Sequence, residues 1–247
     1  MAHVQYEVSL VTYLDILGFK ALIQTRRAGE ISRIIRVVKE AVQPARFKTK
    51  LKAIPDDQYV NFSDLSVIAT PLEKARYNPP ASQLFSQLLH LVHAQSRLIF
   101  DEAILIRGAV TIGDVVKSWG QLFGPAVVRA YELERDHAKY PRIIVDRRIF
   151  DVLDGIRGAW LNGKRADKRT LRGLVRKDSD GSLFVDYLRV LRSELDDPST
   201  YPALLDQHHE FITNGLKKHA LKPKIREKYK WLDSYHNATI AAMKMRL

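Results

Sequence analysis

The stretch Val8-Ser-Leu-Val-Thr-Tyr-Leu14-Asp15-Ile16-Leu17-Gly18-Phe19 decides how this chain folds. Val8 to Leu14 reads as a buried strand, apolar and β-branched, and it runs into an acid and then a turn glycine. A carboxylate at the end of such a strand is costly unless it is paired or bound to a metal. The same pattern recurs in Tyr59-Val-Asn61-Phe62-Ser63-Asp64-Leu65-Ser66-Val-Ile. There Tyr59–Phe62 and Ser66–Ala69 read as two short strands joined at Ser63-Asp64-Leu65. Pairing of this hairpin with the first strand would set Asp64 beside Asp15, giving an oxygen-rich site suited to Mg²⁺ or Mn²⁺. A plainer reading makes Asp15 a turn cap and Asp64 a hairpin-tip residue, and spacing alone leaves both open.

Working outward, Ile31 to Val42 has helical spacing and Pro44 closes it, with Lys48 to Asp57 a polar connection. After Pro79-Pro80, Ser82 can cap a long helix with Leu84, Leu88, Leu91, Val92, Gln95, Leu98 and Ile99 on one stripe. Ala103 to Ile112 reads as a strand, Gly113-Asp114 as a turn, and Val115 to Phe123 as the returning partner. Gly124-Pro125 opens a helix reaching about His137, and Arg142 to Val145 is a strand. Arg157 to Ser182 is polar and looped, Leu183 to Val190 one more strand, and two helices follow, Tyr201 to His219 and Pro223 to Arg246. This order predicts an α+β fold: an antiparallel sheet with helices on one face and a C-terminal helical extension. The organisation expected is a core over 1–155, a basic loop and added strand over 156–200, and the extension over 201–247.

The bulk composition fits an ordinary globular chain of 247 residues, 46% hydrophobic and 28% charged. No apolar run approaches the ~20 residues of a membrane helix, and the N-terminus does not read as a signal peptide. Cysteine is absent, which excludes disulfides and thiolate metal sites and suits a cytoplasmic location. The net charge of +12 favours polyanionic partners. Part of the excess lies in Lys164, Arg165, Lys168, Arg169, Arg172 and Arg176. No aromatics interleave those charges, so nucleic-acid binding is the weaker reading of them.

Four motifs in order carry a resemblance. Tyr13-Leu-Asp-Ile-Leu-Gly-Phe19, Phe62-Ser-Asp64, Arg107-Gly-Ala-Val-Thr-Ile-Gly113 and Phe123-Gly-Pro-Ala-Val-Val-Arg-Ala-Tyr-Glu-Leu-Glu134 are similar to those of a class III nucleotide cyclase domain, whose core is ferredoxin-like. More narrowly, they resemble the bacterial pyrimidine cyclases of the Pycsar antiphage system, as does the closing Lys228 to Asn237. The resemblance implies that Asp15 and Asp64 hold two Mn²⁺ or Mg²⁺ ions, with the Ile16 carbonyl as a further ligand. Gly18 and Phe19 would turn their amides toward the phosphates. The reaction implied is attack of the ribose 3′-hydroxyl on the α-phosphorus with loss of pyrophosphate. Two sites at the interface of a homodimer, and a separate effector protein that answers the cyclic nucleotide, are implied as well.

Departures narrow the substrate. Where purine cyclases carry a transition-state asparagine and arginine, this chain has Val128 and Glu132, so Arg129 is the expected replacement, with Arg107 able to reach phosphate. Where a purine-selecting lysine is expected stands Val60. Neighbouring Tyr59 could narrow the pocket to a single-ring base and Asn61 could read its edge, favouring UTP or CTP. The plainer alternatives are a strand-packed Tyr59 and a surface Arg129 paired with Glu132 or Glu134. Gly158 to Arg165 is a failed P-loop, since an arginine replaces the magnesium-binding hydroxyl. His208-His209-Glu210 lacks zinc-site spacing and reads as an exposed helix face. A catalytically inactive cyclase-like binding protein, and a diguanylate-cyclase or polymerase-palm relative, are the competing readings.

Overall fold

The computed structural model describes residues 4–42, 58–72, 80–118, 120–154, 160–161, 164–165 and 171–244. Pro44, the connection from Lys48 to Asp57, Pro79, Lys168, Arg169 and half of the failed P-loop fall outside them.

The strand read from Val8 forms as β1 (Glu7–Ile16), and it is the centre of the molecule. It pairs antiparallel with β3 (Leu65–Pro71) on one side and β4 (Ile106–Ser118) on the other. With β2 (Gln58–Phe62), β5 (Gln121–Phe123), β6 (Ile143–Val145), β9 (Val175–Lys177) and β10 (Leu183–Val185) it makes an eight-stranded sheet. The order is β2-β3-β1-β4-β6-β10-β9, with β5 added to the far end of β4. A separate two-stranded ladder joins β7 (Trp160–Leu161) to β8 (Lys164–Arg165). The helices are α1 (Phe19–Thr25), α2 (Ala28–Val42), α3 (Pro80–Phe100), α4 (Pro125–His137), α5 (Arg148–Asp154), α6 (Tyr187–Glu194), α7 (Tyr201–Lys218) and α8 (Pro223–Lys244).

The fold is α+β, as the order of elements predicts. Two details differ from the simple expectation. The sheet is mixed, because β4 and β6 run parallel: the β5–α4 crossover returns the chain in the same direction. Helices also cover both faces. Leu10, Leu14 and Ile16 face the large core that contains Leu84, Leu88 and Leu91 of α3. The alternate residue Val11 faces a second core with Val67, Ala69, Val115, Ala126 and Ala130, where the small alanines let α4 approach the sheet. That double cover buries even the polar Ser9 and Thr12 of β1.

Three further expectations change. The chain does not turn at Gly113-Asp114, because both pair with β1, at Ser9 and Val8; β4 continues to Ser118, and Gly120 takes the left-handed conformation beyond it (φ 76°). The strand expected over 183–190 stops at Val185. Asp186, fully buried, accepts hydrogen bonds from Arg176 Nε and Tyr235 Oη, both at 2.8 Å. Tyr187, Leu188, Val190 and Leu191 then bury one helical stripe. So Arg176 of the basic run is committed to an internal ion pair. Finally, His208 is fully buried rather than solvated. Its Nε2 meets Tyr187 Oη at 2.7 Å and its Nδ1 meets His236 Nδ1 at 3.1 Å.

The C-terminal helices pack on one another and into the main core, through Tyr201, Leu205 and Ile212 of α7 and Leu232 and Tyr235 of α8. Among the described residues no helix is long and apolar enough to cross a membrane.

Candidate functional site

The site forms where β1 ends. Its register with β3 pairs Ser9 with Pro71 and Leu14 with Ser66. Continued by two residues, that register brings the Ser63-Asp64 turn opposite Ile16. Ser63 adopts a left-handed φ of 60°, which closes the hairpin tightly and presents Asp64 at its tip. On the other side Asp15 stands directly opposite Arg107 of β4. The approach of the two strands is close here. A Cβ on Gly108 would lie 2.3 Å from the Tyr13 carbonyl oxygen, so only glycine fits beside Arg107.

Asp15 and Asp64 are therefore brought together as the hairpin reading anticipated. Burial pushes the Asp15 carboxyl up from 3.8 to about 6; the Arg107 hydrogen bond pulls it down, and Asp64, close enough to share a proton, pushes it up again. Asp15 Oδ2 accepts from Arg107 Nε at 3.0 Å. The same Nε lies 2.7 Å from Glu134 Oε1 of α4. Glu134 is itself buried, and burial, offset in part by Arg107, raises its carboxyl. Tyr13 flanks the group, its hydroxyl pushed up to about 12 by burial and then by Glu134 and Asp15. From α8, Lys228 lies within electrostatic reach of Arg107 and Asp15, and burial together with Arg107 lowers its ammonium.

Two carboxylates at the end of one ladder, with main-chain oxygens beside them, are the hard oxygen donors that Mg²⁺ or Mn²⁺ takes, although among the described residues no group of three or more His, Asp or Glu side chains is placed to hold a metal ion. The residues present fit such an ion. Gly18 follows in the left-handed region (φ 83°) and starts α1, whose first N–H groups lack intrahelical partners. The Phe19 ring is buried in the core, so that residue offers only its backbone.

The remaining expected residues lie apart from this cluster. Tyr59 and Asn61 share one side of β2, where Asn61 Nδ2 donates to Tyr59 Oη at 3.0 Å and Tyr59 Oη meets Ser66 Oγ at 2.9 Å. Lys39 lies over the Tyr59 ring at 5.4 Å. Arg129 pairs with neither Glu132 nor Glu134; its Nε donates to Asp146 Oδ2 at 3.0 Å. Thr111 Oγ1 donates to the same oxygen at 2.7 Å. Burial alone would raise Asp146, but these two bonds and the Arg148 amide bring it below the usual range. Val128, at a departed position, is 55% exposed and cannot serve the cluster from within this chain.

Glu134, Tyr13 and Lys228, which stand around Asp15 and Arg107, were not selected by the sequence reading, nor was Asp146, the partner of Arg129. Glu134 did leave a signal: with Ala126, Ala130 and Leu133 it completes the buried stripe of α4, an acid where an apolar residue belongs.

No protein-family model matches the sequence, and no curated protein does. Some solved structures are similar to it. One is an adenylyl cyclase, CyaB, from P. aeruginosa, at 12% identity over 62% of this chain and 84% of that one, with a TM-score of 0.48. Another is a class III adenylyl cyclase-like ATP-binding protein from Pseudomonas aeruginosa, at 10% identity over 78% of this chain and 41% of that one, also at 0.48. A third is the catalytic core of a rhodopsin-guanylyl cyclase in complex with ATPαS, at 15% identity over 65% and 91% of the two chains, at 0.43. What this chain is similar to, at those identities, is the general course of such domains.

Proposed function

We propose that this chain is a nucleotide cyclase that converts UTP or CTP, UTP by preference, to the 3′,5′-cyclic monophosphate and pyrophosphate. The observation that carries the reading is the Asp15–Asp64 pair, two carboxyl groups within hydrogen-bond reach of each other at the end of β1. When bound there, Mn²⁺ or Mg²⁺ supplies acidification of the ribose 3′-hydroxyl and neutralisation of the triphosphate. The chain's own part is to hold and orient: Asp15, Asp64 and the Ile16 carbonyl present oxygens, and the Gly18–Phe19 backbone and Arg107 face the polyphosphate. Lys228 adds a second cation on the same side.

Arg129 is the candidate for stabilising charge at the α-phosphorus, and in a homodimer it would be supplied to the opposite site. Tyr59, fixed by Ser66 and Asn61, is the proposed wall of a single-ring base pocket, and Asn61 its polar edge. By its motifs the product would act as a second messenger in antiphage defence, read by a separate effector protein.

A second reading has one observation in its favour: Arg129 is engaged by Asp146, as in a cyclase-like protein that binds nucleotide without turnover. One experiment separates them. Purified protein is incubated with each of the four NTPs and Mn²⁺, pyrophosphate release is followed, and the product is identified by mass spectrometry. A cyclic pyrimidine nucleotide, lost in Asp15→Asn and Asp64→Asn, supports the enzyme. No product from any nucleotide removes it.

A further inference from the structure

Arg107 has one hydrogen on Nε and two carboxylates competing for it. Asp15 Oδ2, at 3.0 Å, receives the hydrogen bond. Glu134 Oε1 is nearer, at 2.7 Å, but the N–H does not point to it. That oxygen is buried and has no hydrogen-bond partner, on a side chain only 5% exposed. A buried acceptor left without a donor is expensive, and here the donor is already in contact. The arrangement therefore has a second state close by, in which the Nε–H turns from Asp15 to Glu134 and satisfies it.

Whatever favours that second state must take Asp15 Oδ2 away from Arg107. A divalent cation on Asp15 does so, since a guanidinium and a metal ion compete for the same lone pairs. We propose that Glu134 is a positioning residue, which receives Arg107 when a divalent cation takes the Asp15 carboxylate. Without Glu134, Arg107 would have Asp15 as its only partner in the pair and would oppose the ion. With it, Arg107 is withdrawn yet stays beside the site, its charge held where a polyphosphate would lie. The placement of Glu134 serves this: it rises from the buried stripe of α4, whose Ala126 and Ala130 lock the helix to the sheet. The inference rests on cation binding at Asp15 and not on turnover.

The test is a double-mutant cycle on Mn²⁺ affinity, measured without nucleotide by the EPR signal of free Mn²⁺. Glu134→Gln is expected to weaken Mn²⁺ about tenfold in the otherwise native chain, and less than about twofold in an Arg107→Gln background, because Glu134 acts through Arg107. Asp15→Asn abolishes the binding. An equal loss in both backgrounds makes Glu134 a direct ligand or a plain negative charge, and overturns the proposal. So does unaltered affinity, or a native chain with no Asp15-dependent Mn²⁺ binding. A second measurement needs no variant of Glu134. In ¹⁵N-labelled native protein, the Arg107 Nε–H resonance should shift on adding Mg²⁺ and stay protected from solvent exchange. A resonance that becomes exchange-broadened means that Arg107 leaves for water, and the proposal fails. A failed nucleotide assay with a positive cycle would remove the cyclase and keep Glu134.

Discussion

Replacing Asp15 by asparagine should make the metal-free protein more stable while removing its function. In the folded chain burial, with Asp64 as a further cause, lifts the Asp15 carboxyl from 3.8 to about 6. Its folded value lies above its unfolded one, so the folded state prefers the protonated form and is penalised once the group ionises. The full difference corresponds to about 3 kcal/mol. The side chain is 21% exposed, and water screens part of the penalty, which leaves about 1–2 kcal/mol. Asparagine keeps the shape and carries no charge, and Arg107 retains Glu134 at 2.7 Å. At pH 8 in chelator, Asp15→Asn should therefore melt about 3–6 °C above the native chain. The advantage should vanish below about pH 4, where Asp15 is protonated in both states, and grow to its full size as pH rises through 6. Added Mn²⁺ should raise the native melting temperature and leave that of the variant unchanged. Scanning calorimetry over this pH range decides it. A variant that melts at or below the native protein at pH 8 refutes the account of a strained carboxylate pair.

Gly108→Ala puts a methyl group 2.3 Å from the Tyr13 carbonyl and should cost about 3 kcal/mol or more, read as a fall in the urea midpoint; a midpoint within error of native would show that β1 and β4 can part. His208, lowered from 6.5 to about 3 by burial and then by His236 and His209, takes its proton in the unfolded state first. Stability should thus fall as pH drops below 6.5, and His208→Gln should flatten that fall; coincident urea-midpoint profiles would exclude the histidine cluster as the cause. Lys228→Gln should raise KM for the nucleotide several-fold with little change in kcat, and an unaltered KM would remove α8 from the polyphosphate site.

Much of the fold could be read because β1 is unambiguous. Its largely apolar run marked a buried strand, though not that helices would cover both of its faces, and the carboxylates that end it and tip the β2–β3 hairpin could be placed before any coordinates. What escaped were interactions that depend on pairing across the chain. Gly113-Asp114 carries turn residues, yet β1 extends far enough to pair with both, and the ladder overrides local preference. Leu183 to Val190 reads as one strand, yet it turns into helix after Val185, where Asp186 is fixed by Arg176 and Tyr235, ten and forty-nine residues away. Asp146 had the same signature as Asp15, an acid directly after an apolar strand, here Ile143–Val145. The rule that found one would have found the other, and with it the partner of Arg129.

Charge at two length scales completes the reasoning. The chain carries +12 overall, a field that draws in anions from a distance. The end of β1 is the opposite: among the described residues Asp15, Asp64 and Glu134 set three carboxylates against Arg107 and Lys228. A naked triphosphate would be attracted to the molecule and repelled at the site. The deficit is removed when the anion arrives with divalent cations. A surface evolved only to bind nucleic acid would have no use for that local reversal of sign. Neutralising Glu134 should therefore relax the cation requirement for nucleotide binding at the same time as it weakens Mn²⁺. Carried out in the Arg107→Gln background, the same substitution should leave both nearly unchanged if Glu134 acts through Arg107; equal effects in the two backgrounds would make it a plain negative charge.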